Sequence, residues 1–390
     1  MRTFERTHPW LTFRFDVRRA PYTLWMDLGA IQSKCEHVAR SLLPPDVASS
    51  LERFYLAKGV AATTAIEGNT LSEEQVRARV RRARSLPTSL AYQGREVDNV
   101  IAATRATAKR LLEARDCRLT PDDIKRFNAL VLRGLPLDED VVPGQISRHP
   151  VGVARYRGAP RKDCAHLLER LCHWINDEIV PPNDDQRVAF GVLAAVLAHL
   201  YVAWIHPFGD GNGRTARLVE FQILVGAGVP TIAAHLLSNH YNRTRPEYYR
   251  LLAASSKSSS GPLEFVHYAV TGLRDGLDQQ IVRIRRHLRL MAWKDHVYEQ
   301  FRQESGQAAM RQRKLALALG RYSRKTFAFS ELLTITPEVA AEYADKTRKT
   351  LTRDVNALIK RKLVVLRGRG VRARIEILES LLPKRRSDEA

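Results

Sequence analysis

The sequence predicts a mainly α-helical protein: a helical core with one β-hairpin set into it, followed by a small α+β module. Three observations predict it. Apolar residues recur at helical spacing through most of residues 23–290. Short alternation with Gly and Pro punctuation is confined, in that stretch, to residues 146–158. Residues 311–382 then change to a pattern of helix, short strand, helix, helix and hairpin.

The elements follow in order. Residues 23–41 and 47–62 are predicted amphipathic helices. Ser72-Glu73-Glu74 is a helix start with acids in the first turn. Residues 97–115 form another helix. Thr120 caps the next, with Pro121 at its first position. Ile146 to Gly158 is the hairpin, and helices resume at 164–179 and 185–205. The most apolar stretch, Val188 to Ile205, is interrupted by Gly191 and His199 and runs into a polar loop. It is expected to be a buried helix, not a membrane span. SSKSSSGP, residues 255–262, is expected to be a loop between helices. Beyond it Val266, Val270, Leu273, Leu277, Ile281, Ile284 and Leu288 make one apolar stripe on a long helix. Near the end, Leu351, Val355, Leu358 and Ile359 mark the buried face of a helix over about 346–361. Val364–Arg367 and Val371–Ile377 are two strands around the basic turn Gly368-Arg369-Gly370. That order is the winged-helix order. The expected boundaries are 1–95 for an N-terminal helical region, 96–300 for a core and 301–390 for the winged-helix module.

Apolar residues are 44% of the chain, enough for a packed core, which excludes a disordered polymer. Lys and Arg number 63 against 42 Asp and Glu, a net charge of +21. Such an excess predicts an acidic partner. It is uneven: residues 281–390 hold 26 basic and 12 acidic residues, a net +14. Cys35, Cys117, Cys164 and Cys172 lack CxxC spacing, which argues against a disulfide framework or a zinc ribbon. The first residues are charged and carry no apolar signal region, so a cytoplasmic location with no membrane partner is expected.

The chemistry concentrates in His206-Pro207-Phe208-Gly209-Asp210-Gly211-Asn212-Gly213-Arg214-Thr215-Ala216-Arg217. A Gly-rich loop opening a helix is an anion site, because unpaired backbone N–H groups and the helix dipole face the ligand. Gly211 and Gly213 let phosphate approach the backbone, and Asn212 is expected to add side-chain donors. Arg214 and Arg217, three apart, can reach phosphate oxygens. Asp210 is a hard oxygen ligand suited to Mg²⁺. His206 is placed to act as a general base near neutral pH.

This segment resembles the Fic (filamentation-induced-by-cAMP) signature HxFx[D/E]GNGRxxR at every fixed position, and the resemblance extends over roughly residues 8–300. It implies a Fic-type helical core and a protein adenylyltransferase that moves AMP from ATP to a hydroxyl side chain of a target protein. By that resemblance His206 is the general base and Asp210 the Mg²⁺ ligand. Gly211, Asn212 and Gly213 cradle the α-phosphate, Arg214 holds the β-phosphate, Arg217 holds the γ-phosphate, and Phe208 anchors the loop in the core. The GNGR stretch favours nucleotidyl transfer over the Fic-like kinases, which depart from it.

Thr63-Thr64-Ala65-Ile66-Glu67-Gly68 is a second feature. An acid at a helix C-terminus opposes the dipole unless a cation pairs with it, and Gly68 is a helix-stop residue. The segment resembles the Fic inhibitory motif [S/T]xxxE[G/N]. In that family the Glu, here Glu67, pairs with the second signature arginine, here Arg217, and blocks the γ-phosphate seat. In some relatives the same Glu serves removal of AMP from targets. The 146–158 hairpin is similar in position to the Fic flap, with Val151 and Val153 on one face for docking a target segment. Tyr248 and Tyr249 resemble a tyrosine pair at the adenine pocket, although Ser256 stands where some relatives have Asn.

The C-terminal helix exposes Arg348, Lys349 and Arg353, and the turn adds Arg369, a pattern suited to DNA. Dimerisation or target docking is the alternative use. The sequence thus carries two functional readings. One is an adenylyltransferase held down by Glu67. The other is a DNA-binding regulator that uses the core as a nucleotide sensor. A reverse, AMP-removing enzyme stays open, as does the oligomeric state, with a homodimer among the options.

Overall fold

The structure is a computed structural model that describes residues 2–81, 87–113, 117–153, 156–322 and 325–378; the side chains of Val17 and Val153 lie outside that description. The chain divides into two compact units, Met1–Ile281 and Val282–Ala390.

The helix Arg187–Ile205 is the axis of the first unit. It is apolar on every side, so it is stable only when surrounded. The helices Tyr22–Ala39, Arg161–His173 and Asn212–Gly226 pack against it. Its length and hydropathy would suit a membrane crossing, but 83% of the apolar window lies inside this unit. The helix Arg161–His173 continues as a π-helical turn, Trp174–Glu178, which completes the predicted 164–179 segment.

The N-terminal helices are laid directly on this core. Pro45–Ile66 packs against Glu73–Val80, Ala91–Glu113 and Leu236–Arg243, and Ala91–Glu113 packs against Asn212–Gly226. Their ends obey local chemistry. Ser72 Oγ accepts from the Gln75 N–H, and Thr120 Oγ1 accepts from the Asp123 N–H with Pro121 at the first helical position. Pro45–Ile66 runs four residues beyond the predicted 62 and stops where Gly68 adopts φ +99°, a conformation that costs a side chain dearly.

The predicted hairpin forms from two-residue strands, Gly152–Val153 and Tyr156–Arg157, paired antiparallel. Its turn, residues 154–155, lies outside the described residues, as does the Val153 side chain. It is tied down at its base. The Gly158 N–H donates to the Val151 carbonyl, and the Ala159 N–H donates to the Ile205 carbonyl. Tyr156 Oη donates to the Trp204 carbonyl at 2.6 Å.

The second unit has the predicted order: Gln307–Arg321, a strand at Phe327–Ala328, the helices Pro337–Tyr343 and Arg348–Lys360, then the strands Val364–Arg367 and Gly370–Ala373. The three strands form one antiparallel sheet with Gly370–Ala373 in the centre. That last strand is shorter than the predicted Val371–Ile377. The chain turns into a 3₁₀ helix, Ile375–Leu378, which buries Ile375 in the core. A buried Asp354 accepts from Arg311 Nε at 2.6 Å, Gln312 Nε2 at 2.9 Å and Tyr343 Oη at 2.9 Å, fixing Arg348–Lys360 against Gln307–Arg321. Residues 379–390 lie outside the described residues.

Candidate nucleotide site

The site begins where the axial helix stops. His206 is its C-cap and takes a left-handed backbone, φ 49° and ψ 56°, rare for a residue with a side chain. Its Nδ1 lies 3.3 Å from the Ala203 carbonyl. A carbonyl only accepts, so this contact favours a proton on Nδ1 and a bare Nε2. Burial lowers the imidazole pKa below its usual 6.5, although the Ala203 carbonyl, Glu67 and Asp210 pull the other way. A neutral imidazole with a bare nitrogen is what a general base requires.

The loop is held from inside. Phe208 is buried. Asn212 spends its amide on the Phe208 main chain: Oδ1 accepts from the Phe208 N–H at 3.0 Å and Nδ2 donates to the Phe208 carbonyl at 2.7 Å. Asn212 thus shapes the loop from within. Asn128, unforeseen from sequence, is fully buried and does similar work. Its Nδ2 donates to the Asp210 carbonyl at 2.8 Å, and its Oδ1 accepts from the Gly144 N–H at 2.9 Å.

The helix Asn212–Gly226 starts from this loop, and both arginines in its first turns are buried. Each meets a carboxylate from the N-terminal helices. Arg217 Nη2 donates to Glu67 Oε1 and to the Thr63 carbonyl, and Nε donates to Thr63 Oγ1 at 2.5 Å. Thr63 and Glu67 are one helical turn apart, so both face Arg217. A Cβ at Gly213 would run into Glu67 Oε1, so only glycine lets that carboxylate reach the start of the helix. Glu67 therefore lies where the helix N-terminus attracts an anion. Partial burial would raise its pKa, but Arg217, Arg214 and Arg245 hold it below the usual value. The dipole conflict at the end of Pro45–Ile66 is relieved there too. Arg245 Nη2 and Tyr249 Oη both donate to the Ile66 carbonyl, at 2.5 and 2.9 Å.

Arg214, the residue that the resemblance assigns to the β-phosphate, meets two carboxylates in the structure. Its Nη1 donates to Glu96 Oε1 at 2.7 Å, and its Nη2 lies 3.1 Å from Asp210 Oδ1. Glu96 was missed, yet it left a signal: it lies on the buried stripe of its helix with Val100, Ala103 and Thr107, an acid among apolar and small residues.

His206, Asp210, Gly211, Asn212, Gly213, Arg214, Arg217 and Glu67 thus converge around one helix start. The tyrosine pair splits. Tyr248 is a core residue, with its hydroxyl 3.0 Å from His199 Nε2 and its ring stacked on Tyr241, which corrects its assignment to an adenine pocket. Tyr249 is the half-exposed member and adjoins the Glu67 turn. Val151 is half-buried at the base of the hairpin, and Gly158 passes against the His206 side chain. Arg348, Lys349, Arg353 and Arg369 are exposed in the second unit.

Among the described residues no group of three or more His, Cys, Asp or Glu side chains is arranged to hold a metal. The Asp210 side chain is nearly half exposed and turns Oδ1 toward Arg214. A lone carboxylate fits Mg²⁺, which takes its other ligands from phosphate and water.

Residues 118–224 match the model of the Fic/DOC family. The chain is 32% identical to protein adenylyltransferase fic-1 of Caenorhabditis elegans over 206 residues, covering 53% of this chain and 37% of that protein. It is 28% identical to protein adenylyltransferase Fic of Nematostella vectensis, covering 51% and 43%. It therefore spans less than half the length of these curated relatives. Among solved structures it is similar to residues 134–508 of Fic-1 from C. elegans, with a TM-score of 0.55 and 26% identity over 68% of this chain and 73% of that one. A Fic family protein from Desulfovibrio desulfuricans G20 shares the fold over 92% of this chain and 97% of its own, with a TM-score of 0.56 and 23% identity. The His206–Arg217 segment lies within residues 118–224, the stretch that is similar to the Fic/DOC family model.

Proposed function

We propose that this protein is an adenylyltransferase that transfers AMP from ATP to a hydroxyl side chain of a protein target, and that Glu67 restrains it. The observation that carries this reading is the Glu67–Arg217 pair at the start of the helix opened by the His206 loop. The names of the relatives support the reaction class.

The residues account for the chemistry. His206 Nε2 takes the proton of the target hydroxyl, and that oxygen bonds to the α-phosphorus. The bond from the α-phosphorus to the bridging oxygen breaks, and pyrophosphate leaves with the electron pair. Backbone N–H groups at Gly211–Gly213 and the side chain of Arg214 offset the charge that develops on the phosphate oxygens. Asp210 would hold Mg²⁺, which when bound neutralises phosphate charge. Arg217 is the seat for the terminal phosphate once Glu67 yields it. Replacement of His206 by Ala tests the scheme: transfer of the α-label is expected to be lost while ATP affinity stays within about threefold, since Nε2 acts on the hydroxyl and not on the phosphates. Retained transfer would overturn the general-base role.

We further infer that the second unit is a winged-helix module that contacts DNA. The support is its element order, its net charge and the exposure of Arg348, Lys349, Arg353 and Arg369. Binding to duplex DNA is expected to weaken steeply with salt, and to weaken on joint replacement of those four residues by Ala. No binding at low salt would refute it.

A further inference from the structure

The two arginines of the site are held differently. Glu67 reaches Arg217 from the open side, with 31% of its side chain exposed. Glu96 reaches Arg214 from the interior, with 5% of its side chain exposed. An entering phosphate can displace Glu67 into solvent, whereas Glu96 has nowhere to go. We propose that Glu96 is a positioning residue that aims Arg214 at the triphosphate and ties that aim to the turn bearing Glu67. The proposal rests on the nucleotide-transfer reading above and adds a second carboxylate to its machinery.

The tie runs through Asn69. It follows Glu67 by two residues, and its N–H donates to the Thr64 carbonyl at 3.1 Å. Its Nδ2 donates to Glu96 Oε2 at 2.8 Å and to the Gln93 carbonyl at 3.1 Å, and its Oδ1 accepts from the Leu71 N–H at 3.0 Å. One short turn therefore carries the carboxylate that occupies Arg217 and grips the carboxylate that holds Arg214. Glu96 fixes one edge of the guanidinium and leaves Nη2 at the Asp210 mouth. It also cancels part of the arginine's charge, so it trades phosphate affinity for orientation.

That trade gives a signature that a purely structural residue would not. In full-length protein carrying Glu67→Gly, adding Glu96→Gln is expected to tighten binding of inorganic tripolyphosphate about tenfold, the size of one charge-assisted hydrogen bond to a competing carboxylate. In the same protein kcat for α-label transfer from ATP is expected to fall about tenfold as the arginine loses its fixed plane. Asn69→Ala, which takes the Asn69 donor from Glu96 Oε2 and so loosens the hold of that carboxylate on Arg214, is expected to move both quantities the same way by about threefold, and to add nothing to Glu96→Gln, as for members of one chain of contacts. If Glu96→Gln does not fold, Asn69→Ala carries the test alone. Unchanged tripolyphosphate affinity, or a loss of affinity alongside the loss of kcat, overturns the proposal. The affinity readout needs no catalysis. A shift in affinity with no transfer from any variant would keep the role of Glu96 in phosphate binding and overturn the transferase reading; transfer without the shift would do the reverse.

Discussion

Glu67→Gly is the perturbation that speaks most clearly. The substitution removes the charge-assisted hydrogen bond to Arg217 Nη2 and vacates the helix start beside Gly213. A hydrogen bond to a charged group contributes about 1.5–3 kcal/mol, and Glu67 is partly solvated, so the lower half of that range applies. A phosphate no longer has to displace it, so productive occupancy of the site is expected to rise by about 10- to 40-fold, at about 1.4 kcal/mol per factor of ten. Arg217 keeps both Thr63 contacts but loses its counter-charge while buried, so the folded state is expected to lose about 1.5–2 kcal/mol, the same lower half of the range. The two effects have opposite signs: transfer rises while thermal stability falls by a few degrees. The assay is incorporation of label from α-labelled ATP into the protein itself, with Tm measured on the same preparations. Unchanged incorporation in a folded variant would refute the restraint. A rise without any fall in Tm would show that the pair contributes nothing to the fold.

Three other outcomes follow from the same contacts. Thr63→Val removes the acceptor of Arg217 Nε but leaves the Thr63 carbonyl, so α-label incorporation is expected to rise only about threefold, and a rise equal to that of Glu67→Gly would contradict the shared hold. Asn212→Ala leaves the Phe208 N–H and carbonyl without partners, so Tm is expected to fall by several degrees with transfer abolished; intact transfer would show that the loop keeps its shape without them. Burial pushes His235 and His240 down to about 4 from 6.5, so between those values the unfolded chain binds more protons than the folded one. Their contribution is present above about pH 6.5 and is lost as pH falls toward 4, which urea titrations across that range measure; flat stability there would refute the burial of both rings as neutral groups.

Much of this architecture was legible because local chemistry and packing agree. Thr120 and Pro121 mark a helix start from either view, and the apolar run ending at Ile205 can only be a buried axis. The His206–Arg217 loop was legible for the same reason, since its glycines, acid and arginines serve one local purpose. What escaped lies between elements distant in sequence. Glu96 is 118 residues from Arg214, and only packing of Ala91–Glu113 on Asn212–Gly226 brings them together. Asn128 bridges two loops for the same reason. Neither the loop-shaping bonds of Asn212 nor the core place of Tyr248 could be read ahead, because a polar group can serve a ligand or the fold, and sequence does not say which lies within reach. Asn212 finds the Phe208 main chain, and Tyr248 finds His199. The strand after Gly370 ended early because Ile375 is drawn into the core, a tertiary demand that alternation alone does not reveal.

Restrained nucleotidyl transfer is tested most directly by one paired-label experiment. Glu67→Gly protein is incubated in parallel with α-labelled and γ-labelled ATP in the presence of Mg²⁺, with Glu67→Gly/His206→Ala as the control. Stable incorporation of the α-label alone is expected, absent from the control. Incorporation of the γ-label, or of neither label, would contradict it.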